Sequence, residues 1–155
     1  EGALILGAAI PHVTALRDVT ISQFNAHAAD LDPLVAKRCR FIIEENERVL
    51  ALAAALTGGK RPRIGELCAA SFAGARDLYE IVVPEMEAMM AAMLSGPGVI
   101  GARQAGAGFG GCMVAFVEDH AVEAFAAHVL SRYQAATGIE AKVYPVVASA
   151  GAGVL

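Results

Sequence analysis

A chain of 155 residues is long enough for one domain with a sizeable core. At 56% apolar and 18% charged it is richer in core formers than an average globular protein, at roughly 45–50% and 25%, so part of its surface is expected to want a partner. A net charge of −4, with the basic residues scattered apart from Lys60, Arg61 and Arg63, leaves no electrostatic footprint for nucleic acid, and three cysteines without C-x-x-C spacing, Cys39, Cys68 and Cys112, suggest neither a zinc site nor a disulfide framework but buried thiols in a reducing compartment.

The apolar start, Ala3 to Ile10, follows Glu1 rather than a basic stretch and falls far short of the ~18 residues of a membrane span. It reads as the last turns of a helix over 1–9, stopped by Gly7 and Pro11, with little to pack on locally. Without an initiator Met, residue 1 is expected not to be a natural N-terminus. Thr20 and Gln23 form a capping box that opens a short helix to about Ala29. Asp32 as cap and Pro33 at the first helical position start the longest helix. Its apolar stripe runs Val35, Cys39, Ile42, Val49, Leu52 and Leu56, and Gly58-Gly59 ends it. The charges between Lys37 and Arg48 read as a solvated face with i,i+4 pairs such as Glu44 to Arg48, and Asn46 is expected to hydrogen-bond between helices.

Lys60-Arg61-Pro62-Arg63 reads as an exposed basic turn before a helix over Ile64 to Leu78. For Arg76, Asp77 and Glu80 the expectation is salt bridging between elements. Pro84 begins a helix whose Met86, Met89, Met90 and Met93 recur at core spacing. Ser95 to Gly98 stops it. Val99 to Ala105 and Cys112 to Val117 read as strands around a loop with Gly106, Gly108, Gly110 and Gly111. Asp119 is expected to cap a helix to about Thr137, with Val122, Phe125, Ala126, Val129 and Tyr133 inward and Gly138 closing it. Alternation of Ala141, Val143 and Pro145 against Lys142, Tyr144 and Val146 predicts a third strand. The four histidines, His12, His27, His120 and His128, are dispersed and expected at the surface.

The glycine loop matches G-x-G-x-x-G, but its last glycine runs into a β-type segment, whereas a dinucleotide site would open a helix there and meet an acidic residue about 20 positions on. No core is built from glycine. The loop therefore either turns where positive φ is required or lets another backbone or a phosphate come close; a tight hairpin turn is the plain alternative to a binding role.

The run G-A-R-Q-A-G-A-G-F-G-G-C resembles the third sequence motif of the GHMP small-molecule kinases, and among them the galactokinases. Three further stretches are similar to galactokinases in the same order: A-L-R-D-V-T from Ala15, A-K-R-C-R-F-I-I-E-E-N-E-R-V from Ala36, and S-F-A-G-A-R-D-L-Y-E-I-V-V-P-E-M-E from Ser71. Phe72, Leu78, Val82 and Glu87 depart from the polar residues usual in the last, and Gln104 and Ala105 stand where Met and Thr are usual. The resemblance implies an α+β, two-layer, ferredoxin-like GHMP kinase C-terminal domain with an antiparallel sheet over 31–155, and a linker and helical segment over 1–30 leading from an N-terminal lobe outside the chain.

Phosphoryl transfer needs a phosphate cradle, a metal ligand and a residue to orient the attacking hydroxyl. No Walker-type loop, H-E-x-x-H or G-x-S-x-G occurs, and neither a catalytic residue nor a metal ligand is assigned in this chain. By resemblance those groups, with most ligands of ATP and Mg2+, belong to the N-terminal half of a cytoplasmic enzyme that converts ATP and galactose to ADP and galactose 1-phosphate. The resemblance gives Gly106, Ala107, Gly108, Phe109, Gly110 and Gly111 the nucleotide-side role of bracing the phosphate loop and closing the cleft. The fragment alone is then expected to be inactive and to self-associate. A noncatalytic sugar- and ATP-binding regulator and another GHMP sugar kinase, such as a hexosamine kinase, are the alternatives.

Overall fold

The computed structural model describes residues 1–106, 109–149 and 151. Helix α1 spans Gly2–Ala9 and α2 spans Ile21–His27. The capping box before α2 is closed as the sequence predicts: the Gln23 amide N–H donates to Thr20 Oγ1 at 3.2 Å and the Thr20 N–H to Gln23 Oε1 at 2.9 Å. Contrary to the expectation for the first residues, α1 is well packed. Leu6 and Ile10 are buried with Val19, Phe24 and Leu31 against Cys39 and Ile43.

Those two partners lie on the longest helix, α3, Pro33–Thr57, where Asp32 accepts from the Leu34 N–H at 2.9 Å. The expected single apolar stripe is corrected. Val49 and Leu56 are exposed, while Phe41, Ile43 and Ala55 are buried with Cys39. The helix serves three neighbours at different heights, so one face cannot suffice. Cys39 and Ile43 meet the N-terminal segment, Phe41 meets Ala75 and Ile81, and Ala55 meets the next helix.

That helix, α4, is Arg61–Gly74. It starts inside the basic stretch, Pro62 being tolerated in the first turn, where its missing N–H has no partner to lose. A π-helical turn, Ala75–Tyr79, follows, and Glu80 closes it in the left-handed conformation. Helix α5, Pro84–Leu94, buries Met86, Met90 and Met93, as its spacing predicts.

Strands β1, Val99–Ala105, and β2, Cys112–Val117, pair antiparallel, Val99 opposite Val117 and Ala105 opposite Cys112, with an irregularity between Val99 and Gly101. Gly101 lies against α4, where a β-carbon would sit 2.9 Å from the Gly65 Cα. Ala102 is buried in the largest cluster with Met90 and Met93 of α5 and with Phe125, Val129 and Tyr133. The last three lie on α6, Val122–Thr137, closed by Gly138 at φ +73°. Asp119 does not cap this helix. It opens a separate 3-10 turn, Asp119–Ala121, leaving Ala121 at the N-cap without a side-chain acceptor.

The α+β class and the antiparallel hairpin stand. The third strand does not, since the sheet of the described residues has two strands. Its predicted alternation survives in burial only over 141–144, with Ala141 and Val143 half-buried on the main cluster and Lys142 and Tyr144 exposed, and is lost at Pro145, which is exposed. Pro145 has no N–H for a ladder. Apolar contact alone satisfies the pattern.

Candidate functional site: the glycine hairpin and the groups beneath it

β1 and β2 deliver the glycine loop at their shared end. Gly106 and Gly110 both have φ +87° and Gly111 has φ +130°, values that strain any residue with a β-carbon. Ala107 and Gly108 lie outside the described residues. Among the described residues, a β-carbon built on Gly106 or Gly110 meets nothing within 4 Å, and one on Gly111 reaches the Ala105 carbonyl at 4.0 Å. Among the described residues, then, it is the backbone conformation and not crowding that calls for glycine at Gly106 and Gly110. Phe109 is 75% exposed on the same loop, and Cys112, expected buried, is exposed beside it; it is the first residue after the loop, before the strand pair is covered.

Two residues of β1 hold the start of the loop. Gln104, only 5% exposed, donates from Nε2 to the Gly106 carbonyl at 3.2 Å, and its Oε1 is buried without a partner among the described residues. Arg103 donates from Nε to the Gln104 carbonyl at 3.1 Å, while its Nη2 lies 3.0 Å from Glu45 Oε1 on α3. The same Oε1 accepts from Ser71 Oγ on α4 at 2.6 Å, and Glu45 Oε2 accepts from Arg48 Nε at 2.7 Å. Arg48 also reaches Glu44, the predicted i,i+4 pair, and lies 5.9 Å from the Phe41 ring centroid. Glu45 and Arg48 are 16% and 15% exposed. This part of α3 is therefore no solvated face. The pattern hid it because Ser71 and Arg103 are far along the chain. Asn46 makes no predicted inter-helix bond through Nδ2, which is buried without a partner among the described residues.

A second polar group gathers where the π-helical turn meets α3. Glu80, at φ +59°, is paired by Lys37 Nζ and Arg38 Nη2, and Arg38 Nη1 donates to the Leu78 carbonyl at 2.5 Å. The expected bridging between elements thus holds for Glu80. It fails for Arg76 and Asp77, which pair with each other as chain neighbours. The cations, Lys37 first and Arg38 second, hold the Glu80 carboxyl below its ordinary value of 4.5. A depressed carboxyl contributes stability above the unfolded-state value and loses it as pH falls through the folded one. Glu80→Gln is thus expected to lower Tm at neutral pH, with a gap that closes as pH drops below 4.5; a gap that stays constant across a pH series of melts would contradict it.

The basic turn is engaged too: Arg61 bridges to Glu118 at 2.9 Å and Arg63 to Glu66 at 2.9 Å. His27 pairs with Asp30, and His128 Nε2 lies 2.9 Å from Ser95 Oγ. Two shallow clefts of about 310 and 350 Å³ lie between the N-terminal segment and α3, the second lined by Arg17 and Asn46, and neither includes the glycine loop. Among the described residues no three His, Cys, Asp or Glu side chains gather as a metal site, and no helix is long and apolar enough to cross a membrane.

The antiparallel strands of this α+β unit thus end at the glycine loop, and one carboxylate links two helices to the strand that leads into it. The family model described as GHMP kinases C terminal matches residues 51–135, and the chain belongs to that family as a GHMP kinase C-terminal domain. Among solved structures it is similar over 90% of its length to the crystal structure of Lactococcus lactis galactokinase complexed with galactose, with 31% identity and a TM-score of 0.80. The chain spans 36% of that protein's length.

Proposed function

We propose that this chain is the C-terminal lobe of a cytoplasmic galactokinase, in which ATP and galactose give ADP and galactose 1-phosphate. The observation that carries the reading is the 90% coverage at TM-score 0.80 and 31% identity to a galactokinase that binds galactose. The groups that hold ATP and Mg2+ and act on the sugar hydroxyl belong to the remainder of the protein. This lobe supplies position. Its loop from Gly106 to Gly111 closes over the nucleotide side, where the absence of side chains at Gly106 and Gly110 leaves room for a phosphate-binding loop or a phosphate oxygen.

The departures from the galactokinase pattern are compatible with that role. Phe72 is buried in the main cluster, Leu78 packs beside Phe41 and Ala75, and Val82 is half-buried. These three apolar replacements pack against the lobe's clusters, whereas Ala105, where Thr is usual, is exposed next to the loop and brings no hydroxyl there.

The test is ADP release from the full-length protein with ATP and galactose. Galactose-dependent turnover is expected. Binding of both ligands without turnover would favour the regulatory reading, and turnover on an N-acetylated hexosamine alone would favour a hexosamine kinase. The chain of 155 residues by itself is expected to release no ADP. Exposed Leu4, Leu50, Val146 and Val147 also support its self-association, read by light scattering on the same sample. Turnover by the chain alone would overturn the assignment of catalysis to the other lobe.

A further inference from the structure

We propose that Glu45 is a positioning residue for the glycine loop, acting through Arg103; the proposal rests on the kinase reading above and names how its loop is held. One carboxylate joins three elements: it stands on α3, accepts from Ser71 of α4 and pairs with Arg103 of β1. From Arg103 the bonding continues to the Gln104 carbonyl, and the Gln104 side chain holds the Gly106 carbonyl. A continuous polar path thus runs from the middle of the longest helix to the first glycine of the loop.

The loop needs such support. Among the described residues, a β-carbon at Gly106 or Gly110 would meet nothing within 4 Å, and the hydrogen bond from Gln104 to the Gly106 carbonyl is the side-chain tie seen at the start of the loop. In the pair that carries the brace Glu45 is 16% and Arg103 29% exposed, and a charge-assisted pair with fixed geometry that is partly withdrawn from solvent resists displacement more than a fully solvated pair does. Arginine suits the place because its planar fork donates to Glu45 and to the Gln104 carbonyl at once, which a lysine ammonium cannot reproduce.

Arg103→Lys in the full-length protein keeps the charge and tests the geometry, and Ser71→Ala removes one bond to Glu45 while leaving Arg103 in place. Arg103→Lys is expected to reduce kcat/KM for ATP by about tenfold to a hundredfold, the scale of a misplacement near 1 Å. KM for galactose should change little. Amide hydrogen exchange should quicken at Ala105, Gly106 and Phe109 to Gly111 and stay unchanged in α6. Ser71→Ala should shift both readouts in the same direction by less. Glu45→Gln combined with Arg103→Lys should do no more than the single change at Arg103, because both break one path. Normal ATP kinetics together with unchanged loop exchange in folded Arg103→Lys would overturn the proposal. A wild-type protein that turns over no sugar would defeat the kinase reading instead, and loop exchange would still decide the brace: faster exchange in Arg103→Lys upholds it and unchanged exchange refutes it.

Discussion

If the kinase reading holds, valine in place of Gly110 is expected to abolish most sugar phosphorylation by the full-length protein while costing the fold only a few degrees of Tm. The backbone there, at φ +87°, disfavours a β-branched residue by about 1–3 kcal/mol. Among the described residues nothing lies within 4 Å of a β-carbon at Gly110, so the cost to the fold is expected to come mainly from the backbone. If another surface must enter that space during phosphoryl transfer, kcat/KM for ATP falls by roughly a hundredfold or more. Gly138 supplies the control. It has φ +73°, equally open surroundings and a place at the end of α6, so Gly138→Val should match the loss in Tm and leave the kinetics alone. Should Gly110→Val also keep its kinetics, the glycines serve a hairpin turn and nothing more.

Gly65→Val is expected to show the opposite profile, a large stability loss that begins in the scaffold. A β-carbon at Gly65 would stand 2.5 Å from the Ile100 carbonyl oxygen, and one at Gly101 would stand 2.9 Å from the Gly65 Cα. Helix and strand touch here backbone to backbone, so no side chain can rotate away. Replacing glycine in a helix interior returns up to about 1 kcal/mol of propensity with alanine and less with valine. Overpacking typically costs about 1–3 kcal/mol and more where backbone must move. A net loss of at least about 2 kcal/mol, or roughly 4–8 °C in Tm at this size, is expected. A thermal melt within a degree of wild type would show that α4 and β1 separate freely, and the brace from Ser71 and Glu45 to β1 would lose its footing.

The elements that were legible in the sequence are those whose causes are local. Thr20 with Gln23, Asp32 with Pro33, the methionine spacing of α5 and Gly138 each announce a boundary or a face within a few residues, and each is found in place. What depends on distant partners was not legible. The segment 141–146 alternates like a strand, yet a ladder requires a neighbour, and alternation cannot say whether one is there. Phe41 and Ile43 escaped the stripe on α3 because separate clusters claim separate sides of the helix. The glycine loop showed itself by composition. The charges beneath it did not: Glu45 meets Ser71 26 positions away and Arg103 on a strand beyond, and on a helix with charges at Glu44, Glu45, Glu47 and Arg48 nothing local separates a buried pair from solvated ones.

The unequal burial of the three thiols makes the loop observable without new cysteines. Cys39 and Cys68 are enclosed, and desolvation pushes both thiols above their ordinary value, which depletes the reactive thiolate. Cys112 is exposed and sits one residue past Gly111. Within this lobe, an alkylating fluorophore added in limited amount therefore attaches at Cys112, where its emission follows what arrives at the hairpin.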